Sequence, residues 1–483
     1  MTELKSARRT ATLRAQHPTQ HPLRLLLWSS LICALFALGY TAWESAYAAG
    51  ATPPPDPQVH TADGSNPHPV HLQRPAIAPL SAVALLGKQI FYDTSLSGSG
   101  RMSCASCHSA EHAYGPPNDL VVQPGGVDMK LLGHRPPQSL MYLYRQPNFS
   151  VGPDDSENEG TVTVAQVAAS SAGAPHAQKT VGAATSAVAM VPQGGLFWDG
   201  RADTLQSQAV GPLLNPVEMA NTDIKSVAEK LNHTPYAQGF AQLFGASVLK
   251  TPNLLVSEAM FAVARYQVEE ASFHPYSSKY DYWLEGRARL TPTELRGYNL
   301  FNNKDKANCA GCHLSQPSKD GLPPMFTDYQ YEALGAPRNM AIAANHDPKF
   351  FDIGICGPDR ADMKKEKPYC GMFLTPTLRN AATRKVFFHN GVFHTLEAVM
   401  DFYDFRDTDP KKVYPIGANG KPQKYNDLPV KYRANADVTD PPFDRKLGEK
   451  PAMTAQDMKD IIAFMKTLND GYQAEPTSLQ ATK

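Results

Sequence analysis

The sequence has little cysteine and no net charge. Its 483 residues include 7 cysteines, and 46 Lys and Arg balance 46 Asp and Glu. Seven cysteines are too few for a disulfide-dense scaffold, and zero net charge gives no support for a nucleic-acid partner. Long alternating strand patterns are also absent, which favours mainly helical domains. The length is enough for about two or three domains with cores of their own.

Long hydrophobic runs are rare as well, and the one near the N-terminus indicates where the protein is located. Residues 25–43 are uncharged and follow Arg24. The run is about long enough to span a bilayer, and the preceding arginines predict that its start stays in the cytoplasm. Residues 46–48 (Ala-Tyr-Ala) have the form of a signal-peptidase site. Residues 1–50 are therefore either an inner-membrane anchor or a cleaved signal peptide, and both predict export to the periplasm.

Two segments have the composition of connections. Residues 51–79 are rich in proline and histidine, and we interpret them as an extended linker. No cysteine or carboxylate cluster accompanies the histidines of this segment, so we interpret them as solvated rather than metal-binding. They are His60, His68 and His71. Residues 150–189, rich in Ser, Ala and Gly, are interpreted as an inserted surface loop or hairpin.

The few cysteines are not placed at random. Four of them belong to C-x-x-C-H motifs at 104–108 and 309–313, the attachment signature of c-type haem. The two thiols of such a motif can reach both vinyl groups of one porphyrin, and the adjacent histidine can ligate its iron. A thioredoxin-like redox pair does not explain a histidine after both pairs. The expected haem residues are Cys104, Cys107, Cys309 and Cys312 for attachment, with His108 and His313 as iron ligands.

Three cysteines remain. Cys356 and Cys370 are close in sequence, and an oxidising compartment favours a disulfide between them over two free thiols. Closing such a loop contributes roughly 3 kcal/mol in the chain-entropy description. Cys33 lies in the N-terminal apolar run.

An internal repeat divides the chain. Residues 197–200 and the Thr-Leu pair at 204–205 match residues 388–391 and the Thr-Leu pair at 395–396, each with an offset of 191. A similar segment also precedes each haem motif and predicts a helix leading into it. Repetition at this scale predicts two homologous haem domains.

We place the domain boundaries accordingly. The first haem domain is expected at 80–275 and contains the insert, the second at 276–470, and a tail at 471–483. A capping box at Thr291 predicts the start of one helix, and an amphipathic helix is expected after Thr454 near the end of the second domain.

The repeat predicts that the two irons differ. In the second half, Tyr403 lies one helical turn after Met400 and is a candidate for the second ligand of its iron. Subtracting 191 places Pro212, which has no ligand atom, in the first half. Over an open iron, Glu218 could move a proton between the two oxygens of peroxide, and Trp198 could pass an electron between haems. The alternative is that Tyr403 and Trp198 only pack in the core and that Glu218 is exposed to solvent. Met400 also stays an alternative ligand of the second iron.

Residues 80 to 470 resemble the bacterial di-haem cytochrome c peroxidase family, and within it the MauG-type branch. The resemblance rests on both C-x-x-C-H motifs and on residues 197–201, 295–301, 375–380 and 388–391. It implies two tandem cytochrome c-like domains with haems facing the interface. It also implies an inter-haem Trp198, a distal Pro212 and a distal acid–base Glu218. Tyr403 stands at the axial position that is a tyrosine in MauG and a methionine in the peroxidases.

The chain departs from the family pattern at two prolines. Pro124 stands where typical peroxidases carry a distal histidine, which implies a first haem that is open without reductive activation. Pro136 stands where the family supplies an asparagine to an inter-domain calcium, and this departure argues against the calcium ion that the resemblance would otherwise imply.

We therefore expect a periplasmic di-haem peroxidase that reduces hydrogen peroxide at the first haem. The second haem would supply the other oxidising equivalent. The electron source is expected to be a small cytochrome c, a cupredoxin, or an oxidisable partner protein as in MauG-like chemistry. The alternative is a di-haem electron-transfer cytochrome c without catalysis, in which both irons are six-coordinate and Glu218 is dispensable.

Overall fold

The computed structural model describes residues 58–154, 190–318 and 321–474. In these ranges the fold is mainly helical, as expected, and its short strands form antiparallel pairs. The α-helices are α1 (Ala82–Tyr92), α2 (Cys104–Cys107), α3 (Leu205–Leu214), α4 (Ile224–Asn232), α5 (Ala237–Phe244), α6 (Pro252–Glu269), α7 (Lys279–Leu284), α8 (Pro292–Phe301), α9 (Leu396–Phe405) and α10 (Ala455–Lys466). The strand pairs are β1 (Pro124–Gly125) with β2 (Leu131–Leu132), β3 (Ser150–Pro153) with β4 (Met190–Gln193), and β5 (Tyr331–Glu332) with β6 (Phe373–Leu374).

Each half of the described chain has a hydrophobic core. The first core is built mainly by α1 and α3 to α6, and the second mainly by α7, α8 and α10. Apart from Met325, the first core ends at Tyr276, and apart from Val59 and Leu72, the second begins with Tyr280 of α7. The change from one core to the other therefore falls close to residue 276.

The expected starts of two helices in the second half are confirmed. Thr291 and Thr454 are the N-caps of α8 and α10, and each belongs to a capping box in which an acidic residue three positions later bonds back to the cap. These bonds satisfy backbone N–H groups that the first turn of a helix leaves free. The buried face of α10 includes Ile461, Ile462 and Met465.

In each half the helix before the haem motif crosses the last helix of that half at a glycine. A Cβ atom at Gly87 of α1 would lie 1.8 Å from the carbonyl oxygen of Ala262 on α6. A Cβ atom at Gly297 of α8 would lie 1.9 Å from the carbonyl oxygen of Asp460 on α10. Only glycine allows the two backbones to approach so closely.

Replacing Gly87 by Ala is expected to destabilise the protein, because the new methyl group forces α1 and α6 apart. Overpacking of this kind costs about 1–3 kcal/mol of the free energy of unfolding. Gly239→Ala is the matched control, since its Cβ would meet only a Leu86 side-chain atom at 3.7 Å. The control should be neutral or gain up to about 1 kcal/mol. Chemical denaturation followed by circular dichroism measures both, and equal midpoints would contradict the role given to Gly87.

The offset of 191 between the halves is present in the backbone. Helices α3 and α9 begin and end at positions related by this offset. Their N-caps are Thr204 and Thr395, and the preceding Phe197 and Phe388 have left-handed backbone angles, with φ of 67° and 69°. The two segments are therefore copies in structure as well as in sequence.

The proline-rich segment before α1 is extended but not free. From residue 58 onward it contains no helix or strand, yet Val59 and Leu72 are buried in the second core. The indole Nε1 of Trp283 also donates to the carbonyl oxygen of Gly64 at 3.0 Å. These two apolar side chains, together with hydrogen bonds to the backbone, hold the segment against the second half of the chain, although its composition is that of a linker. Its three histidines are exposed.

Several sequence predictions concern residues outside the described ranges. These are the apolar run 25–43, residues 46–48, most of the insert and the end of the tail. Residues 155–189 connect β3 to β4, whose pairing is described. In the part of the chain that is described, no helix has both the length and the apolar character needed to cross a bilayer.

Cys356 and Cys370 form the expected disulfide, with a sequence separation of 14. Both cysteines are buried in a small cluster that also contains Tyr331, Ile355 and Leu374. A loop of this length contributes roughly 3 kcal/mol by restricting the unfolded chain. The bond stabilises the segment that leads into β6.

Candidate functional site: two cavities joined by a tryptophan

The first cavity contains most of the residues that we assigned to the first haem. Its volume is about 360 Å³, and its lining includes Cys107, His108, Trp198, Pro212 and Glu218. Cys104, the first residue of α2, packs against the first core beside it. The positions chosen from the repeat are therefore close together in space.

The second cavity contains the residues that we assigned to the second haem. Its volume is about 200 Å³, and its lining includes Cys309, Cys312, His313, Met400 and Tyr403. The ring of Tyr403 stacks on Phe443 with centroids 5.2 Å apart. Met400 and Tyr403 both lie on α9 and both line the cavity, so geometry alone does not choose between them as iron ligands.

The two motif histidines are held in the same way. The Nδ1 atom of His108 lies 3.2 Å from the carbonyl oxygen of Tyr114, and that of His313 lies 2.9 Å from the carbonyl oxygen of Phe326. A proton on Nδ1 can be donated to this carbonyl, which leaves Nε2 available as a metal ligand. Burial lowers the pKa of both histidines to about 4, so they are neutral, the form that binds metals.

Glu218 is positioned by a turn at the end of α3. Asn215, the C-cap of α3, donates from Nδ2 to Oε1 of Glu218 at 2.7 Å, and its carbonyl oxygen accepts from the Glu218 amide at 3.0 Å. Burial raises the pKa of Glu218, while nearby Arg201 opposes the shift. We did not assign a role to Asn215 from the sequence, although an Asn-Pro pair at a helix end is a turn signal.

Trp198 lines both cavities. Its indole Nε1 donates to the carbonyl oxygen of Pro136 at 3.2 Å, and its own carbonyl oxygen accepts from the amide of Leu374 at 2.9 Å. Pro136 belongs to the first half and Leu374 to the second. The first bond holds the indole ring against the first half, and the second holds the backbone of Trp198 against the second half.

An ion-pair cluster at the same place was not predicted. Arg135 donates to both carboxylate oxygens of Asp352, at 2.6 and 2.8 Å, and to Asp199 at 2.8 Å. Against the opposing effect of burial, this guanidinium holds the pKa of Asp352 below its usual range. Because Arg135 already neutralises these carboxylates beside Pro136, the residues there do not fit a divalent cation. Elsewhere in the described ranges, no group of three His, Cys, Asp or Glu residues could hold a metal ion.

His134 is a further residue that sequence reasoning missed. His134 lines the first cavity. Pro124, which stands where typical peroxidases carry a distal histidine, lies in β1 and is not among the lining residues. The Nε2 atom of His134 is 3.4 Å from the carboxylate of Asp359, which also lines the cavity. The pair adds titratable groups near Glu218.

The chain is similar in sequence to known proteins. The family model for di-haem cytochrome c peroxidase matches residues 81–289. The chain is 33% identical over 334 residues to the methylamine utilization protein MauG of Paracoccus denitrificans, covering 67% of this chain and 74% of that protein. It is 28% identical over 330 residues to the cytochrome c551 peroxidase of Nitrosomonas europaea, covering 68% and 74%.

A solved structure is similar over most of its length. The crystal structure of the di-haem peroxidase BthA from Burkholderia thailandensis has a TM-score of 0.68 at 34% identity, and the match covers 86% of this chain and 94% of that one. A MauG-like protein associated with microbial copper homeostasis has a TM-score of 0.52 at 22% identity, which is a likeness of fold alone.

Proposed function

Because the chain belongs to the di-haem cytochrome c peroxidase and MauG family and is a di-haem peroxidase, we propose that it reduces hydrogen peroxide in the first cavity. The second cavity would hold the haem that relays the other electron. The observation that carries this assignment is the asymmetry between the cavities: Pro212 and Glu218 face the first, whereas Tyr403 faces the second. Trp198 lies between them, where it can carry an electron from one to the other.

The residues present fit two covalently attached haems. Each cavity is lined by the histidine and at least one cysteine of a C-x-x-C-H motif, and in each the motif histidine has its Nδ1 engaged and its Nε2 available. The proposed thioether attachments are Cys104 and Cys107 for the first haem and Cys309 and Cys312 for the second, with His108, His313 and Tyr403 as iron ligands. When bound, the haems would supply one-electron redox chemistry and, in the first cavity, an open position for peroxide.

Glu218 is the proposed acid–base group. Reduction of peroxide consumes two protons and two electrons and yields two water molecules. The Glu218 carboxylate would take a proton from the near peroxide oxygen and deliver it to the far one, which then leaves as water. Asn215 would orient the carboxylate through its 2.7 Å bond to Oε1. The remaining oxygen then takes up the two electrons and two protons from solvent to form the second water.

The proposed location is the periplasm. The disulfide between Cys356 and Cys370 supports an oxidising compartment, as does the N-terminal apolar run. Whether residues 25–43 anchor the protein or are removed depends on cleavage after residues 46–48. The proposed reductant is a small cytochrome c or cupredoxin, or else a partner protein whose own side chains are oxidised, as in MauG-like chemistry.

Peroxide titration of the ferric protein tests the proposal. Electron paramagnetic resonance of the untreated protein should show one high-spin and one low-spin haem, and peroxide should change the haem absorption spectrum. Adding a reduced cytochrome c should restore the ferric spectrum while the cytochrome is oxidised. Two low-spin haems without any reaction with peroxide would instead identify a di-haem electron carrier.

Covalent attachment can be measured separately. Two covalently attached haems should stay on the unmodified chain in a denaturing gel. Replacing Cys104 and Cys107 by Ala is expected to leave only one, because the vinyl groups of the first haem lose their thiol partners. The matched control replaces Cys356 and Cys370 by Ala, which removes the disulfide only. Haem staining calibrated by mass spectrometry gives the stoichiometry, and loss of haem from the control alone would refute the assignment.

A further inference from the structure

The segments behind the two motif histidines are copies of each other. The carbonyl oxygen that faces His108 belongs to Tyr114 and also accepts from the amide of Leu140 at 3.1 Å. The carbonyl oxygen that faces His313 belongs to Phe326 and also accepts from the amide of Leu378 at 3.3 Å. Two residues after each leucine come Tyr142 and Asn380, which therefore occupy equivalent positions.

Tyr142 is the unusual member of this pair. Both residues have left-handed backbone angles, with φ of 66° for Tyr142 and 58° for Asn380, and each is the N-cap of a short 3₁₀ helix. Asparagine tolerates this conformation, whereas a bulky side chain is strained by it. The two equivalent positions differ in their side chains, a phenol in the first half and an amide in the second.

The two equivalent side chains converge on one carboxylate oxygen. The hydroxyl of Tyr142 donates to Oδ2 of Asp470 at 2.6 Å, and Nδ2 of Asn380 donates to the same oxygen at 2.6 Å. The other oxygen, Oδ1, accepts from the amide of Ser277 at 2.8 Å. Asp470 is therefore fixed as an acceptor at a point where the two histidine-bearing segments meet.

The surroundings of the Tyr142 ring are closed and charged. Only 2% of the residue is exposed, and the guanidinium carbon of Arg379 lies 5.0 Å from the ring centroid. Arg379 is itself paired with the buried carboxylate of Asp281. Burial raises the pKa of Tyr142 well above its usual value, so the phenol is protonated at neutral pH. Removing an electron from the ring therefore requires that the proton leaves at the same time, and Asp470 is positioned to accept it.

We propose that Tyr142 is a redox-active tyrosine that gives one electron to the oxidised haem pair, with Asp470 as its proton acceptor. In this step the O–H bond of Tyr142 breaks, its proton binds the Asp470 carboxylate, and one electron reduces the oxidised centre by one equivalent. The products are a neutral tyrosyl radical and a protonated Asp470. The inference rests on the proposed function, because reaction with peroxide supplies the oxidant. Its effect is to hold one oxidising equivalent on the chain, outside the haems.

The test is freeze-quench electron paramagnetic resonance after peroxide is mixed with the full-length ferric protein in the absence of a reductant. A tyrosyl signal is expected, and it should narrow when the protein is made with ring-deuterated tyrosine. Tyr142→Phe should lose the signal. Asp470→Asn should also lose it, because the amide cannot accept the proton as the carboxylate does.

Tyr276→Phe is the matched control and should keep the signal. Its ring lies 4.8 Å from that of Tyr142, but its hydroxyl bonds to the hydroxyl of Tyr144 rather than to a carboxylate. A haem spectrum that responds to peroxide without a Tyr142-dependent radical would overturn this inference and leave the peroxidase assignment intact. No haem response at all would overturn both. A slower rise of the wild-type signal in D₂O gives a further check that needs no variant.

Discussion

Glu218→Gln is expected to lower kcat/KM for hydrogen peroxide by about 10²–10⁴-fold, the usual contribution of a positioned general acid–base group. Glutamine has the same shape and can keep a hydrogen bond to Asn215, but it cannot take a proton from peroxide. The ferric haem spectrum should stay unchanged, because Glu218 is not proposed as an iron ligand. Stopped-flow mixing with peroxide gives the second-order rate constant directly.

The pH dependence should identify the same carboxylate. Since burial raises the pKa of Glu218 above the usual value of 4.5, the proton-accepting form is lost at a higher pH than for an exposed glutamate. The rate constant should therefore fall as the pH is lowered through this raised pKa and stay high above it. The variant should lack this acidic limb.

Glu229→Gln is the matched control for both measurements. This residue lies on α4 of the same half, and 64% of its side chain is exposed. Its rate constant and pH profile should equal those of the unmodified protein. A Glu218 variant that behaves like this control would assign proton transfer to another group, and His134, which lines the same cavity, is then a candidate.

Tyr403→Phe is expected to convert the second haem completely from low-spin to high-spin, because the change removes the proposed phenolate ligand of its iron. The phenyl ring can keep the stacking on Phe443, so the cavity wall should stay in place. Electron paramagnetic resonance of the ferric variant should show two high-spin haems and no low-spin signal. Reaction with peroxide at the first haem should remain, whereas storage of the second oxidising equivalent should be lost.

Met400→Leu separates the two candidate ligands on α9. Leucine has a similar volume and no sulfur, and Met400 is buried with 5% of its surface exposed. The low-spin signal should survive this change if Tyr403 is the ligand. Loss of the signal in Met400→Leu, together with its retention in Tyr403→Phe, would assign the methionine instead.

The parts of the fold that were predictable are those that depend on local pattern. The C-x-x-C-H spacing brought His108 and His313 to their cavities, and the capping box at Thr291 defined the start of α8. The offset of 191 is more informative. Subtracting it from the position of Tyr403 identified Pro212 as a residue of the first cavity, and Pro212 does line that cavity. Repetition transfers three-dimensional information that a single motif does not contain.

The parts that were not predictable depend on contacts between distant segments. Arg135 meets Asp352 across 217 residues of sequence, and neither residue has a local pattern that signals a partner. Val59 and Leu72 are isolated apolar residues in a proline-rich segment, and nothing in that composition indicates the second core as their binding surface. Tertiary packing decides such cases, and it is outside the reach of periodicity.

The sharing of cavity walls between the halves has a consequence for how the protein matures. Leu374 of the second half lines the first cavity, and Trp198 of the first half lines the second. Neither haem pocket is complete until both copies of the repeat have docked. We expect that either half, expressed alone, would leave its porphyrin edge open to water.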